Sequence, residues 1–270
     1  NQLCTMDKKI VLITGANTGL GYQMVRALCD SAQAYEILVG GRSIEKARQA
    51  ANDVLVEFPS TKSTPVAIQV DVESDDSIQA AFETVQSKYG RLDALVNNAG
   101  AMFEQQFAEG ALSLRQAWAK SWDVNTAGTH IMTLTFVPLL LKSSDPRLLF
   151  MASGTSSLEN AEKQILPIDE FPPKGWPKHA PNMAAYRSSK AGMNMMMRDW
   201  ARLLRNDGVK VWALSPGYLA SGLGKGSEHN KSQGAQDPVV AGPFVREVLE
   251  GERDGQVGKV ILRDGKIQPW

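Results

Sequence analysis

Tyr186 and Lys190 are the two residues whose types and spacing point most directly to chemistry. Four residues along a helix return to the same face, so the two side chains would point into one space. A phenol with its ordinary pKa near ~10 is a poor proton relay at neutral pH unless a positive charge stabilises its anion, and the lysine can supply that charge. The pair therefore predicts a proton donor for an oxygen that gains negative charge. The alternative is an ordinary helix pair with the lysine in water, which the spacing alone would favour.

A glycine-rich turn near the start of the chain predicts a phosphate site. Gly15, Gly19 and Gly21 lie in the run T-G-A-N-T-G-L-G, after an apolar segment over 10–13 and before a helical pattern. Glycines at these places allow a tight turn and close backbone approach to a pyrophosphate, while the helix N-terminus supplies unpaired N–H groups. The spacing is not the common G-x-G-x-x-G, and turns also use glycine for steric reasons alone. Its position after the first predicted strand favours the phosphate site.

These two motifs lie within a pattern of alternating strands and helices. Short β-branched runs predict strands over 10–13, 36–39, 66–70, 94–96, 148–151, 210–213 and 259–262. Longer amphipathic stretches predict helices over 21–30, 44–57, 75–89, 112–141, 184–206 and 239–249. This alternation is typical of βαβ units, whose right-handed crossovers place helices on both faces of a parallel sheet. We therefore predict a doubly wound, seven-stranded parallel α/β sheet of the Rossmann type.

Length and composition favour one globular domain over residues 1–270. Hydrophobic residues make up 43% of the chain and charged residues 21%, which argues against a disordered or fibrous protein. Twenty-nine basic residues balance 29 acidic ones, so no net field would attract nucleic acid or an anionic membrane. The apolar stretches fall short of the ~20 residues that cross a bilayer, and we expect no secretion, because the signal-peptide pattern is not seen in the first residues of the sequence. Cys4 and Cys29 are predicted to be free thiols in a reducing, cytoplasmic compartment.

Further motifs follow the predicted strands in a fixed order. They are Asp71-Val72 after the third strand, N-N-A-G at 97–100 ending the fourth, Asn125 in a helical V-N-T-A-G run, Ser153 after the fifth strand, Tyr186-x-x-x-Lys190 opening the next helix, and Pro216-Gly217 after the sixth strand. With T-G-x-x-x-G-x-G after the first strand, this set resembles the short-chain dehydrogenase/reductase family over nearly the whole chain. Any one motif could be accidental, but the ordered set is highly specific.

The resemblance implies a reaction and a set of catalytic residues. The reaction would transfer a hydride from NADPH to the carbonyl of a ketone or quinone, giving an alcohol. Tyr186 would then be the general acid and Lys190 would lower its pKa. Ser153 would hydrogen-bond the substrate oxygen, and Asn125 would hold a water that links Lys190 to solvent. Taken alone, Ser153 could be a helix cap and Asn125 a polar helix residue.

The resemblance also implies which residues bind the cofactor. The glycine turn would hold the pyrophosphate, Asp71 and Val72 the adenine, and the segment after the sixth strand the nicotinamide. The full predicted set is Gly15, Asn17, Thr18, Gly19, Leu20, Gly21, Arg42, Ser43, Asp71, Val72, Asn98, Ala99, Gly100, Tyr186, Lys190, Pro216, Gly217 and Ser221. Ser221 stands where the family commonly has a threonine, so the hydroxyl is kept.

The choice between the two nicotinamide cofactors is predicted from the end of the second strand. An acidic residue there would bind the ribose hydroxyls of NAD and repel a 2′-phosphate. Gly41 stands where NAD-preferring family members usually carry Asp, whereas Arg42 and Ser43 offer donors suited to phosphate. The sequence therefore predicts NADP(H). A solvated loop cation is the alternative interpretation of Arg42.

Two segments interrupt the rhythm of strands and helices. The Pro-rich insertion over 156–182 excludes a long helix, and it is longer than in many relatives. It could cover the substrate, or obstruct the helix pairing by which many relatives form homo-oligomers, so the oligomeric state stays open. The Gly-, Ser- and Lys-rich segment over 218–236 is predicted to be a mobile substrate loop. An ordinary surface connection is the alternative for both.

Apolar residues beyond the strand ends suggest a small, hydrophobic or aromatic carbonyl substrate. They are Met102, Phe103, Leu158, Trp176, Tyr218 and Leu219, each of which could equally be core packing. His130, His179 and His229 are too scattered for a metal site, and none is predicted.

Two alternatives to a carbonyl reductase remain open at this point. One is a cofactor-binding sensor or scaffold without turnover, although such proteins usually lose the Tyr or the Lys, and both are present here. The other is a related lyase, isomerase or cyclising enzyme that uses NADP(H) without net redox change. Oxidation of NADPH would separate the sensor from the reductase, and the products would separate the cyclising enzyme.

Overall fold

A seven-stranded sheet forms the centre of the molecule in a computed structural model that describes residues 8–178 and 183–270. The strand order is β3-β2-β1-β4-β5-β6-β7, and every neighbouring pair is parallel. The strands are β1 (Lys9–Ile13), β2 (Tyr35–Gly41), β3 (Thr64–Gln69), β4 (Ala94–Asn97), β5 (Arg147–Met151), β6 (Lys210–Ser215) and β7 (Val260–Leu262). The predicted doubly wound, seven-stranded parallel sheet is confirmed.

Helices connect the strands and pack against both faces of the sheet. They are α1 (Gly19–Cys29), α2 (Ile44–Glu57), α3 (Asp75–Tyr89), α4 (Glu104–Ala108), α5 (Leu114–Trp122), α6 (Gly128–Leu140), α7 (Leu158–Glu162), α8 (Ala184–Leu203), α9 (Ser227–Ser232) and α10 (Ala241–Glu250). Period-two alternation along β1 places Ile10 and Leu12 in one apolar cluster, and Val11 and Ile13 in the other. Two cores therefore share one sheet, which explains why these strands are apolar on both faces.

The helix predicted over 112–141 is divided in the structure. A capping box starts α5, because Ser113 accepts from Gln116 N while the Gln116 side chain bonds Ser113 N. One π-helical turn, Asp123–Ala127, then joins α5 to α6. A π turn adds a residue to the helix without breaking it, so periodicity predicts one continuous helix there.

The order in which successive strands are added to the sheet reverses between β1 and β4. From β1 the chain moves outward to β2 and β3, and from β4 it moves the other way to β5, β6 and β7. Ligands of open parallel sheets bind in the crevice at the carboxyl ends of the strands, at this reversal. The turns that follow β1, β4 and β5 therefore lie where a site is expected.

The two segments predicted to interrupt the fold carry short helices. The segment 156–182 contains α7 and a 3₁₀ turn, Pro167–Asp169, and its residues 179–182, with His179, lie outside the described residues, as does Cys4. The segment 218–236 contains α9, and Leu219 pairs with Gln236 in an isolated bridge. No helix in the described part of the chain is both long enough and apolar enough to cross a bilayer.

Candidate active site

The turn between β1 and α1 fits a phosphate group. A Cβ on Gly21 would lie 2.4 Å from the carbonyl oxygen of Gly15, so only glycine allows this close packing of helix on turn. The first turn of α1 holds no acidic residue, and the Thr18 side chain makes no capping bond within the described residues. The N–H groups and positive dipole end of α1 are therefore available to an anion.

Thr14 and Asn98 join this turn to the end of β4. The Thr14 hydroxyl accepts hydrogen bonds from the backbone N–H groups of Asn98 (3.0 Å) and Ala99 (2.9 Å). In return, the Asn98 side-chain amide donates to the carbonyls of Thr14 (2.8 Å) and Gly15 (3.1 Å). These four hydrogen bonds thus join the glycine-rich turn after β1 to the N-N-A-G segment at the end of β4. Thr14 was not among the predicted site residues, although it opens the glycine motif.

Asn125 lies inside the π-helical turn and is fully buried. Its Oδ1 accepts from Ala101 N at 2.9 Å, and its Nδ2 donates to Ala101 O at 2.8 Å and to Ser189 Oγ at 3.0 Å. Ser189 Oγ in turn donates to Tyr186 O at 2.8 Å. Asn125 therefore connects the loop after β4 to α8, and the irregular turn is what aims its side chain there.

Lys190 is buried at the carboxyl end of β5, with 4% of its surface exposed. Its Nζ donates to Met151 O at 2.8 Å. A Cβ on Gly100 would lie 3.3 Å from Lys190 Nζ and 3.1 Å from Asn125 Oδ1, so both side chains lie against the same glycine. Burial lowers the pKa of Lys190 to about 8, which leaves the ammonium charged in most molecules at neutral pH.

Tyr186 lies on the same helix as Lys190, and Ser153 lies close to the Tyr186 phenol. Tyr186 is 6% exposed; burial raises its pKa, the Ser153 hydrogen bond lowers it, and the charge of Glu104 raises it. Ser153 also caps a 3₁₀ turn, since its Oγ accepts from Thr155 N at 3.3 Å and lies 2.9 Å from Thr155 Oγ1. Ser153 therefore has a capping role and also contacts the phenol.

Three side chains that the motifs did not predict hold this cluster in place. Glu104 accepts a hydrogen bond from Tyr186 N at 2.7 Å. The buried Gln268 donates to Ser153 O at 3.1 Å, which ties the C-terminal segment to the serine loop. Arg187 donates to Thr155 O at 2.9 Å and pairs with Asp169 of the insertion at 2.6 Å. A polar residue among apolar ones is only a weak sequence signal for a role in the site. Contacts between residues so far apart in the chain leave no signal in the sequence.

The residues at the end of β2 lie in a different environment. The side chain of Arg42 is 74% exposed, and its nearest ion-pair partner, Glu73, is 3.7 Å away. Ser43 caps α2 by accepting from Lys46 N. A Cβ on Gly41 would lie 2.9 Å from Asn17 Oδ1, so the glycine makes room for the asparagine of the first turn.

The remaining predicted cofactor residues follow β3 and β6. Asp71 N donates to Ser77 Oγ at 2.9 Å, and Val72 O lies against Gly128 at the start of α6. Pro216 O accepts from Arg263 Nε at 2.6 Å, and Ser221 Oγ accepts from Leu223 N at 3.4 Å. All of these segments follow the carboxyl ends of parallel strands, on the same edge as the glycine turn.

The apolar residues predicted to contact substrate are not gathered in one place. Met102 Cε would lie 2.8 Å from a Cβ on Gly224, so the loop after β4 contacts the segment 218–236. Leu219 is buried, and Phe103 packs against one of the cores. Leu158 lines a groove with Met195 and Trp270, and Trp176 is 87% exposed. Met102 is thus in contact with the loop over 218–236.

The histidines lie apart from this cluster. His130 packs on Trp200 with 5.3 Å between ring centroids, and His229 lies in α9. Within residues 8–178 and 183–270, no group of three or more His, Cys, Asp or Glu side chains could hold a metal ion.

Comparisons with known proteins agree with the geometry. The short chain dehydrogenase family model matches residues 9–165 and 177–232. The chain is 43% identical to the short-chain dehydrogenase/reductase tropE of Talaromyces stipitatus, over 98% of both proteins. It is 44% identical to the short-chain dehydrogenase/reductase eupG of a Phoma species, over 97% of this chain and 98% of the relative.

A solved structure shares the fold. The NADPH-bound carbonyl reductase from chicken fatty liver superposes with a TM-score of 0.76 at 20% identity, over 97% of this chain and 99% of that one. The matched family model covers the glycine turn, the strand-end motifs and the Tyr/Lys helix described above. The chain is therefore a member of the short-chain dehydrogenase/reductase family of oxidoreductases.

Proposed function

We propose that this protein is an NADPH-dependent carbonyl reductase that reduces a hydrophobic or aromatic ketone or quinone to an alcohol. The observation that carries this proposal is the packing of α8, with the buried Tyr186 and Lys190, against the segment after β5 that carries Ser153. The three side chains lie at the strand ends of the sheet, on the same edge as the phosphate-fitting turn.

The residues divide the work of proton transfer. When bound, NADPH would supply a hydride for the carbonyl carbon. Tyr186 then donates its proton to the carbonyl oxygen, which gains negative charge, and Ser153 donates a hydrogen bond to the same oxygen. Burial raises the pKa of Tyr186, so its phenol is protonated at neutral pH, and a positive charge is needed to stabilise the anion that forms when the proton leaves. Lys190, four residues along the same helix, would supply positive charge for the phenolate that forms, since its own pKa of about 8 leaves it mostly charged.

Asn125 and Lys190 complete the path of the proton. Asn125 uses its whole side-chain amide to hold Ala101 and Ser189, so its position is fixed before any ligand arrives. We propose that it supports a water that returns protons from solvent to Lys190. The contact of both side chains with Gly100 supports this placement.

The end of β2 supports NADP(H) as the cofactor. Gly41 ends β2, so no carboxylate is present there to bind the ribose hydroxyls of NAD or to repel a 2′-phosphate. The exposed Arg42 guanidinium and the Ser43 hydroxyl are suited to a 2′-phosphate. Glu73, 3.7 Å from Arg42, would keep that guanidinium close to the cofactor edge.

A panel of ketones and quinones tests the proposal. Purified protein is mixed with NADPH and each compound, and loss of reduced nicotinamide is followed together with formation of the alcohol. We expect oxidation of NADPH, matched mole for mole by alcohol, with at least one hydrophobic carbonyl. Tight NADPH binding without oxidation across the panel would indicate a sensor or scaffold. Substrate conversion without net NADPH oxidation would indicate a lyase, isomerase or cyclising enzyme.

A further inference from the structure

The loop that begins at Ser153 is held by the part of the chain that follows β7. This serine loop, residues 153–159, starts with a 3₁₀ turn after β5. Ser153 O accepts a hydrogen bond from Gln268 Nε2 at 3.1 Å, and Glu159 N donates to Trp270 O at 2.7 Å. The backbone N–H of Gln268 in turn donates to a carbonyl of β7 at 2.8 Å. Both ends of the serine loop are therefore connected to the last strand of the sheet.

A second connection joins the serine loop to α8. Asn194 Nδ2 donates to Ser156 Oγ at 3.0 Å, and Ser156 Oγ donates to Ser153 O at 2.6 Å. Asn194 follows Tyr186 by eight residues and Lys190 by four, and all three side chains are buried. Residues at this spacing lie along one face of a helix. The Ser153 carbonyl is thus linked, through one hydroxyl, to the helix face that carries the predicted proton donor.

Stability is an incomplete explanation of these two amides. Gln268 is 2% exposed and Asn194 is 5% exposed. Each donates from its side-chain nitrogen, but its side-chain oxygen is buried and accepts no hydrogen bond from the described residues. A buried polar atom without a partner costs free energy comparable to what one hydrogen bond contributes, so an apolar side chain of similar size would stabilise the fold about as well. The amides therefore point to a need to place the atoms that they hold.

We propose that Gln268 and Asn194 are positioning residues that hold Ser153 where its hydroxyl meets the substrate oxygen. Both amides act on the Ser153 carbonyl, Gln268 directly and Asn194 through Ser156. A carbonyl bonded from two separate elements restrains the backbone rotation of its own residue, and so the direction in which the side chain leaves the backbone. This inference rests on the proposed function, because it takes Ser153 to hydrogen-bond the substrate.

The other hydrogen bonds of the serine loop do not restrain this carbonyl. Ser153 Oγ accepts from Thr155 N at 3.3 Å and lies 2.9 Å from Thr155 Oγ1, but Thr155 belongs to the same loop and moves with it. Arg187 of α8 donates to Thr155 O at 2.9 Å, which restrains a peptide two residues further on. Gln268 and Asn194 thus supply the restraint on Ser153 itself that comes from outside the loop.

Amide hydrogen exchange tests the inference without substrate or cofactor. Gln268→Met keeps a buried side chain of similar size and removes the donor to Ser153 O. The Ser156 N–H donates to the same carbonyl at 3.1 Å, and NMR measures its exchange rate individually. We expect this exchange to be at least roughly fivefold faster in Gln268→Met, because opening of the loop then breaks one hydrogen bond fewer.

Gln256→Met is the matched control. Gln256 ends the 3₁₀ turn before β7, its Nε2 donates to Gly265 O at 2.7 Å, and its Oε1 is also buried without a donor among the described residues. The same substitution there removes the same kind of bond without removing a hydrogen bond to the serine loop. Exchange at Ser156 should therefore keep its wild-type rate.

Asn194→Leu tests the second connection with the first intact, and it serves also if Gln268→Met does not fold. We expect faster exchange at Ser156 in this variant as well. Wild-type exchange at Ser156 in both Gln268→Met and Asn194→Leu would overturn the inference, and so would an equal increase in Gln256→Met.

Once a substrate is known, Ser153→Ala shows whether Gln268 acts through the serine. We expect Gln268→Met to lower kcat, counted per NADPH-binding site, roughly tenfold when Ser153 is present, because a group in the site is misplaced. In Ser153→Ala the same substitution should change kcat less than about twofold, since no hydroxyl is left to position. A structural role alone would lower kcat equally in both backgrounds, and that result would overturn the inference. The exchange measurement needs no substrate, so failure of the substrate panel and failure of this inference are distinguishable.

Discussion

Two regions of the site differ in how many bonding partners the protein itself provides. One is the cluster of Tyr186, Lys190, Ser153 and Asn125, and the other is the exposed rim at the end of β2, which carries Arg42. In the cluster, Asn125 and Lys190 are buried and bonded to backbone or side-chain groups from other segments. At the rim, the Arg42 side chain is 74% exposed and its ion pair with Glu73 is long, at 3.7 Å. The fold therefore fixes the side chains of the cluster, whereas it leaves Arg42 exposed and only weakly paired. Substitutions in the cluster should change rate and stability, and substitutions at the rim should change only cofactor preference.

The largest effect is expected from removing the Tyr186 hydroxyl. Tyr186→Phe keeps the ring in its buried place but deletes the proton that the carbonyl oxygen receives. A general acid contributes on the order of 10³-fold to rate, so we expect kcat to fall by about that factor. NADPH affinity, measured by fluorescence titration, should change less than about twofold, because the rim and the glycine turn are untouched.

Tyr89→Phe is the control for that substitution. Tyr89 bonds Glu36 at 2.7 Å and ends α3, and its removal should leave kcat unchanged. Wild-type turnover in Tyr186→Phe would remove the phenol from the mechanism and erase the difference between the two regions.

A smaller effect is expected at the rim. Arg42→Asp removes a donor for the 2′-phosphate and adds a charge that repels it, so the preference for NADPH over NADH should fall at least roughly tenfold. Dissociation constants for both cofactors give this ratio, and the melting temperature should stay the same since the side chain is exposed. Arg48→Asp makes the same charge change further along α2, at another exposed position. An equal loss in that variant would show that Arg42 has no special contact with the phosphate.

The smallest effect is a pH dependence of stability that belongs to the cluster alone. The pKa of Lys190 is about 8 in the folded protein against an ordinary 10.5, so between these values the unfolded chain binds more protons and stability rises with pH. Between pH 8 and 9 we expect the free energy of unfolding to rise by about 1 kcal/mol more in the wild type than in Lys190→Met.

Urea unfolding at several pH values measures this difference. Subtracting the variant cancels the contributions of Cys29 and of the tyrosines other than Tyr186, which both proteins contain. If the free energy of unfolding changed equally with pH in the two proteins, that result would contradict a lowered pKa of Lys190 in the folded protein.

The sequence predicted the features that depend on residues close to one another in the chain. Short β-branched runs predicted every strand of the sheet to within a few residues, and the ordered motifs predicted the family. Tyr186 and Lys190 were predicted together because they are one helical turn apart. Their shared helix makes the pairing a local property of the chain.

The features that the sequence did not predict depend on contacts between distant segments. Glu104 meets Tyr186 across 82 positions, and Gln268 meets Ser153 across 115. The π turn that aims Asn125 adds a residue within a continuous helix, so it leaves no break in periodicity. Trp176 and Leu158 were predicted to contact substrate from their apolar character, which does not report the direction of a side chain.

Transfer of a labelled hydride tests most directly whether the protein reduces a carbonyl with NADPH. The protein is incubated with NADPH deuterated at one or the other face of C4 and with a carbonyl compound that it converts. We expect one deuterium on the carbinol carbon from one of the two labelled cofactors, with the hydroxyl proton coming from solvent. An alcohol without deuterium from either cofactor would contradict hydride transfer from NADPH to the carbonyl.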